Sequence, residues 1–279
     1  MAPEAGERQE DAFVSVSIHP MANVEPGAEL GDGVTIGPFA HVGAEVILGA
    51  GTTIHNHASV VGRTELGEAC AVYPNSSIGG APQSLGFKPD PASRLRVGAR
   101  TVFRENTTAH AGLPKHSGTT EIGSDCYFMH GSHLGHDCHV GNNCVLAALV
   151  CIGGHCTIGE TVWMGGLCAL HQFTQVGDHA FIGGGSVVVG DVIPFGIVAG
   201  NKAALAGLNV IGLSRRGFSR DRIKALRKGY KAIFRSDRHF SEAVSAASAT
   251  LGDNEDVAKV LAFIEAERER PLCMPERRR

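Results

Sequence analysis

The chain has 279 residues, 43% of them hydrophobic and 19% charged, with 37 glycines and a formal net charge of −3. That composition excludes a disordered chain, its slight negative charge disfavours general nucleic-acid binding, and no apolar run reaches the length that spans a bilayer. Eight cysteines without an export signal read as free thiols, and the expected compartment is the cytoplasm.

The first segment, MAPEAGERQEDA, is polar and acidic, and residues 1–13 are expected to form a disordered tail. From Ile18 onward a repeat organises the chain. Stepping by six from Ile18 lands on an apolar residue at eleven consecutive positions, through Val24, Leu30 and Ile36 to Ile78. The phase shifts through Val97 and Phe103, then resumes at Ile122 for twelve more positions, ending at Val188. A period of six fits neither an α-helix nor an alternating strand. It fits a short strand plus a turn, three of which close one triangular coil of a parallel β-helix. The prism is expected over 14–200. Two insertions, about 79–96 and 110–121, break the period and are expected to leave it as loops, where binding residues concentrate.

Within the resumed repeat, Cys126, Cys138, Cys144, Cys156 and Cys168 all stand four residues after an apolar marker. Elsewhere that slot holds Val34, Ala40, Ala58 and Ser132, so it is the small inward position, where Cys acts as a small hydrophobe. A zinc site needs thiolates and imidazoles converging on one point, whereas this spacing spreads the thiols along the prism. No metal site is expected.

The histidines are different. His136 stands at a corner two residues after Leu134, and Asp137 follows it. One coil is eighteen residues, so Gly154 and Gln172 occupy the same corner on the next two coils, flanked by His155 and His171. One ridge thus offers imidazoles, an amide and a glycine whose N–H a ligand can approach closely. An imidazole can take a proton from an attacking hydroxyl, and an N–H can stabilise a developing oxyanion. That combination suits acyl transfer.

After Val188 the period fades, and 201–279 is expected to form a small helical domain. Ile223, Leu226, Tyr230, Ile233 and Phe234 mark one helix face with Ser219 as N-cap, and two more helices are expected at 240–251 and 254–269. Residues 215–238 hold ten Lys/Arg against two Asp, either a solvated surface or a dock for an acidic protein.

The stretches IHPMANVEPGAELGDGVTIGPFAHVG, SIGGAPQSL, HLGHDC, LHQF and NVIGLSRRGFSR together resemble the UDP-N-acetylglucosamine acyltransferases of lipid A synthesis, over about residues 16–270. The resemblance implies a left-handed parallel β-helix followed by a small α-helical domain, assembled as a homotrimer with sites between subunits. It implies transfer of a 3-hydroxyacyl chain from acyl carrier protein to the 3-position of a UDP-sugar, with no cofactor beyond the phosphopantetheine thioester of the donor. It further implies that His136 is the general base, that Asp137 positions it, and that Gly154 supplies the oxyanion N–H. Gln83, His133, His155, His171 and Gln172 would line the substrate cleft. Asn209, Arg215 and Arg216 would hold the nucleotide, and Gly184 would set acyl-chain length, its lack of a side chain implying a long chain. Where the family commonly reads PQDLKY, this chain has Ser84 and Gly86 in place of the charged residues, and Ile211 replaces an acidic residue in the nucleotide motif. A 3-amino acceptor is therefore the alternative to the 3-hydroxyl. A zinc hydratase of the same prism shape is the second alternative, and a non-catalytic scaffold the third.

Overall fold

A computed structural model describes residues 15–276; the tail expected over 1–13 and the closing arginines 277–279 lie outside the described residues. Short strands, from β1 (Ser17–Ile18) to β26 (Val187–Val188), wind into three parallel sheets in which strands three apart in the chain are neighbours. We number these sheet 1, which contains β1, sheet 2 and sheet 3, in the order the chain visits them. The architecture is a left-handed parallel β-helix.

The six-residue markers point inward and stack in register. In sheet 2, β14 (Thr108–His110), β17 (His133–Leu134), β20 (Cys151–Ile152) and β23 (Ala169–Leu170) align Ala109, Leu134, Ile152 and Leu170, all buried. Each Leu or Ile so buried contributes about 1.5–3 kcal/mol. The cysteines named above are buried beside them, and each thiol donates to a carbonyl one coil on, as Cys138 does to Gly153 at 3.2 Å. The glycine after a marker has a local cause: a Cβ on Gly135 would lie 2.7 Å from the Gly154 backbone nitrogen. Between sheets the chain turns through left-handed residues. Along the edge joining sheets 2 and 3 these include Asp137 (φ 56°), His155 (φ 62°) and Phe173 (φ 67°).

The two insertions leave the prism at that same edge. Their free lengths are shorter than expected, 81–93 and 111–118. The flanking strands β11 (Ser77–Gly80), β12 (Arg94–Val97) and β15 (Thr119–Ile122) run past the hexapeptide core and keep pairing. The region expected to be helical from 201 opens instead with a strand. β27 (Gly196–Ala199) joins sheet 1 in parallel, and β28 (Ala204–Leu208) folds back antiparallel upon it, turning through Gly200 (φ 103°) and Lys202 (φ 61°). Helices come next: α1 (Val210–Arg215), α2 (Arg220–Phe234), α3 (Phe240–Leu251) and α4 (Glu255–Glu265). Ser219 caps α2, accepting from the Arg222 N–H at 3.2 Å. Ile223, Leu226 and Ile233 are buried, and Arg222 grips the buried Asp256 of α4 through two bonds of 2.9 and 2.7 Å. α4 stops at Glu265, short of 269: Ala266 is extended (ψ 153°), and the Arg268 guanidinium turns back to cap the carbonyls of Phe263 and Ile264. Among the described residues no helix is long and apolar enough to cross a membrane.

Candidate active site

His136 closes the turn after β17 at the edge between sheets 2 and 3. His136, at a corner of the prism, is only 7% exposed: the 111–118 loop bonds to the adjoining Asp137, and His155 packs edge-on to the His136 ring. Its Nδ1 lies 2.8 Å from Asp137 Oδ2. As an ionised carboxylate only accepts, Nδ1 carries the proton and Nε2 keeps its lone pair free to receive one.

The Asp137 side chain is 1% exposed and fully engaged. Oδ2 also accepts the Leu113 N–H at 3.0 Å, and Oδ1 lies 2.6 Å from the Ser117 hydroxyl. Its own N–H donates to Thr120 Oγ1 at 2.8 Å. Burial pushes this carboxyl up, but the hydrogen bonds from Ser117, Leu113 and His136 outweigh it and hold the group below the usual carboxylate range. Asp137 is thus an anion at neutral pH, able to orient the imidazole and stabilise it when charged.

Gly154 meets this ring from the next coil. A Cβ there would fall 2.7 Å from His136 Cε1 and 3.0 Å from each ring nitrogen, so only a glycine leaves the imidazole its place. Among the described residues no backbone carbonyl accepts the Gly154 N–H. His155 stacks flat on Phe173 (ring centroids 4.5 Å) and lies edge-on to both His136 (5.0 Å) and His116 (4.6 Å). Burial lowers its pKa, with only partial opposition from Asp137, so it stays neutral beside the dyad. His133, on the outer face of sheet 2, bonds to Thr108 Oγ1 at 2.8 Å, and burial lowers it too. His171 and Gln172 are exposed two coils from His136, and Gln83 is exposed on the first loop. Between the two loops lies a cavity of about 240 Å³ lined by Ser84, Gly86, Lys88, Leu113 and Lys115.

Ligand atoms of His136, Asp137 and His155 lie within 4.8 Å of one another, as a metal site would need. Asp137 already takes three donors through its two oxygens, however, and the protonated Nδ1 of His136 is one of them. The arrangement is a hydrogen-bonded His–Asp pair with a second imidazole beside it.

The remaining residues singled out in the sequence stand elsewhere. Asn209 is buried as the N-cap of α1, accepting from the Gly212 N–H (3.1 Å) and donating to the His179 carbonyl (2.9 Å). His179 turns the edge between sheets 3 and 1, where Arg216 is close enough to lower its pKa further after burial. Arg215 is exposed. Gly184 follows β25 (Phe181–Ile182) at the third edge, between sheets 1 and 2. One chain therefore holds the candidate base, the nucleotide-binding candidates and the acyl-length candidate on three different edges of its prism. The sequence pattern did not point to Leu113, His116, Ser117 or Thr120, nor to His110. The last is buried, 2.7 Å from the Ala81 carbonyl through Nδ1, with its ring 5.3 Å from that of His133.

Residues 119–154, with His136, Asp137 and Gly154, match the bacterial transferase hexapeptide family (six repeats). Residues 191–273, with Asn209, Arg215 and Arg216, match the second domain of the Udp N-acetylglucosamine O-acyltransferases. The acyl-[acyl-carrier-protein]--UDP-N-acetylglucosamine O-acyltransferase of Burkholderia lata is 42% identical over 253 residues, covering 89% of this chain and 96% of its own. This chain belongs to that family. Solved structures of UDP-N-acetylglucosamine acyltransferases agree in shape. That from Moraxella catarrhalis RH4 superposes with a TM-score of 0.88 at 34% identity over 92% of this chain and 99% of its own. The Campylobacter jejuni enzyme gives 0.87 at 32% identity over 93% and 100%. These matches run almost end to end, through prism and helical region alike.

Proposed function

We propose that the protein transfers a long 3-hydroxyacyl chain from acyl carrier protein to the 3-position of UDP-N-acetylglucosamine, the first step of lipid A synthesis. The observation that carries this reading is the Asp137–His136 pair facing Gly154 across one coil. His136 Nε2 removes the proton of the sugar 3-hydroxyl as its oxygen attacks the thioester carbonyl. The tetrahedral oxyanion is stabilised by the Gly154 N–H. Collapse breaks the C–S bond, and the imidazolium returns its proton to the leaving phosphopantetheine sulfur. Asp137 stays ionised throughout and holds the reactive tautomer. His133, His155, His171, Gln172 and Gln83 line the cleft.

Asn209, Arg215 and Arg216 bind the nucleotide, the guanidiniums suiting phosphate geometry, and they do so for a neighbouring copy. Two features support a homotrimer: the separation of base and nucleotide residues onto different edges, and the exposed apolar side chains of Leu149, Trp163 and Leu167. Gly184 leaves room for a long acyl chain, since a Cβ there meets nothing nearer than the Gly166 carbonyl at 3.4 Å. The basic stretch 215–238 docks acidic acyl carrier protein, which puts the reaction in the cytoplasm.

A second reading is acylation of the 3-amino analogue. The cavity between the loops favours it as an alternative, because Ser84 and Gly86 line the cavity where charged residues are expected. The test offers 3-hydroxymyristoyl carrier protein with each acceptor in parallel, with and without EDTA. Ester product, unaffected by chelator, is the expected result. Amide product alone would move the assignment to the amino sugar. No product from folded protein, or activity abolished by EDTA, would overturn direct metal-free transfer.

A further inference from the structure

The carboxylate behind the base is held by a loop, not by the prism. Asp137 Oδ2 is fixed by the Leu113 N–H, its backbone N–H is fixed by Thr120 Oγ1, and both partners lie in or beside the 111–118 insertion. Oδ1 has one partner among the described residues, the Ser117 hydroxyl at 2.6 Å. The short distance is that of a charge-assisted O–H···O⁻ bond. The Ser117 oxygen accepts the Thr119 N–H at 3.3 Å, and the Thr119 carbonyl, at 2.9 Å, is a second acceptor for its one proton, which the nearer and charged Asp137 Oδ1 takes. An almost wholly buried carboxylate with one oxygen unpartnered would be free to turn about its last torsion and costly to keep charged.

We infer that Ser117 is a positioning residue of the reaction, its hydroxyl fixing Asp137 so that Asp137 fixes the His136 imidazole. This rests on the acyl-transfer reading above. The chain is Ser117 Oγ to Asp137 Oδ1, then Asp137 Oδ2 to His136 Nδ1 at 2.8 Å, leaving Nε2 aimed past Gly154. Among the described residues Ser117 makes no hydrogen bond to the imidazole, only to Asp137 and Thr119, so its effect should appear in turnover and not in binding. The other titratable groups near Asp137 are His136 itself, His155 from the next coil, and Lys115 and His116 from the loop, the last lying edge-on to His155. The Ser117 bond is the largest of the interactions that keep Asp137 ionised against its burial, so losing it moves protonation of Asp137 to higher pH.

The experiment compares Ser117→Ala and Ser117→Thr with the unaltered full-length protein, recording kcat and KM for both substrates across pH, with melting temperature as a check on folding. The expected result for Ser117→Ala is about a tenfold fall in kcat, KM values within about twofold, and an acidic limb of the rate profile moved to higher pH. Ser117→Thr, which keeps the hydroxyl, restores kcat to within about twofold. Unchanged kcat in Ser117→Ala overturns the inference while leaving the acyl-transfer reading intact. A loss that threonine does not restore, or one carried in KM, overturns it in favour of a loop-packing role. An unaltered protein that is itself inactive overturns the acyl-transfer reading and the inference with it.

Discussion

Gly154→Ala isolates the geometry of the base from its chemistry. Gly154 lies outside the left-handed region, so its backbone accepts alanine, and the new methyl is the whole perturbation. It would stand 2.7 Å from His136 Cε1, where ordinary contact begins at 3.4 Å, so the ring must retreat by roughly 0.7 Å. The ring cannot retreat alone, because its Nδ1 is tied to a carboxylate that is itself tied to the loop. A displacement near 1 Å of a reacting group costs on the order of 10²-fold, or about 2.7 kcal/mol of activation energy. Overpacking a closed site adds about 1–3 kcal/mol of destabilisation. Steady-state transfer, read by mass spectrometry of the acylated sugar, should therefore show kcat down about a hundredfold with a modestly lower melting temperature. Gly43→Ala, in an early coil away from the site, is the control: its methyl meets nothing nearer than 3.4 Å, so neither melting nor kcat should move appreciably. A Gly154→Ala protein turning over within about threefold of the original would refute the proposed geometry, whatever its melting point.

The same contacts give three further expected outcomes. Asp137→Asn keeps the shape but offers an amide to Nδ1, which favours the wrong tautomer, and kcat should fall about 10³–10⁴-fold; a fall below tenfold would mean that Asp137 does not hold the base. Gly184→Met puts a long side chain at the edge between sheets 1 and 2, and the preferred acyl donor should shorten by several carbons, read from competition among donors of different length. Stability should fall on acidification. His133, His155 and His179 are held below their ordinary pKa by burial, so native protein resists the protons that unfolded histidines take up near pH 6.5, and the loss begins there. The lowered carboxyl of Asp137 adds a second loss below about pH 4. Asp191, raised by burial, works the other way as it gains its proton, so urea midpoints are best compared between about pH 7.5 and 5.5. A midpoint that rises across that interval would contradict the assignment.

The prism was legible because its period is long, repeated and tied to burial: every marker from Ile36 to Ile78 and from Ile122 to Val188 is buried. The ridge came from coil arithmetic, which set Gly154 one coil from His136. The surroundings of Asp137 were not legible. Leu113 and Ser117 reach it from a loop that carries no repeat, Thr120 reaches it from the start of β15 just beyond that loop, and such hydrogen bonds leave no spacing to read. Asn209 shows a different gap: the motif drew attention to it, but the need to cap α1 and hold the His179 carbonyl is visible only in three dimensions. The turn at Gly200 into β28 likewise looked like the end of sheet structure because the six-residue phase had ended.

The placement of base and nucleotide residues on separate edges bears on genetics as well as chemistry. On the trimeric reading, each reaction centre draws His136 from one chain and Arg216 from the next. A chain lacking the imidazole still lends its guanidinium to a neighbour, and the reverse holds for a chain lacking the guanidinium. Two alleles that are each inert should therefore complement when co-expressed. Random mixing in equal amounts gives about one quarter of the centres both intact parts in a closed ring. A cell carrying one such allele beside a normal one would lose only the centres that the defective chain's own missing group serves, so a single inert subunit would not silence the ring it joins.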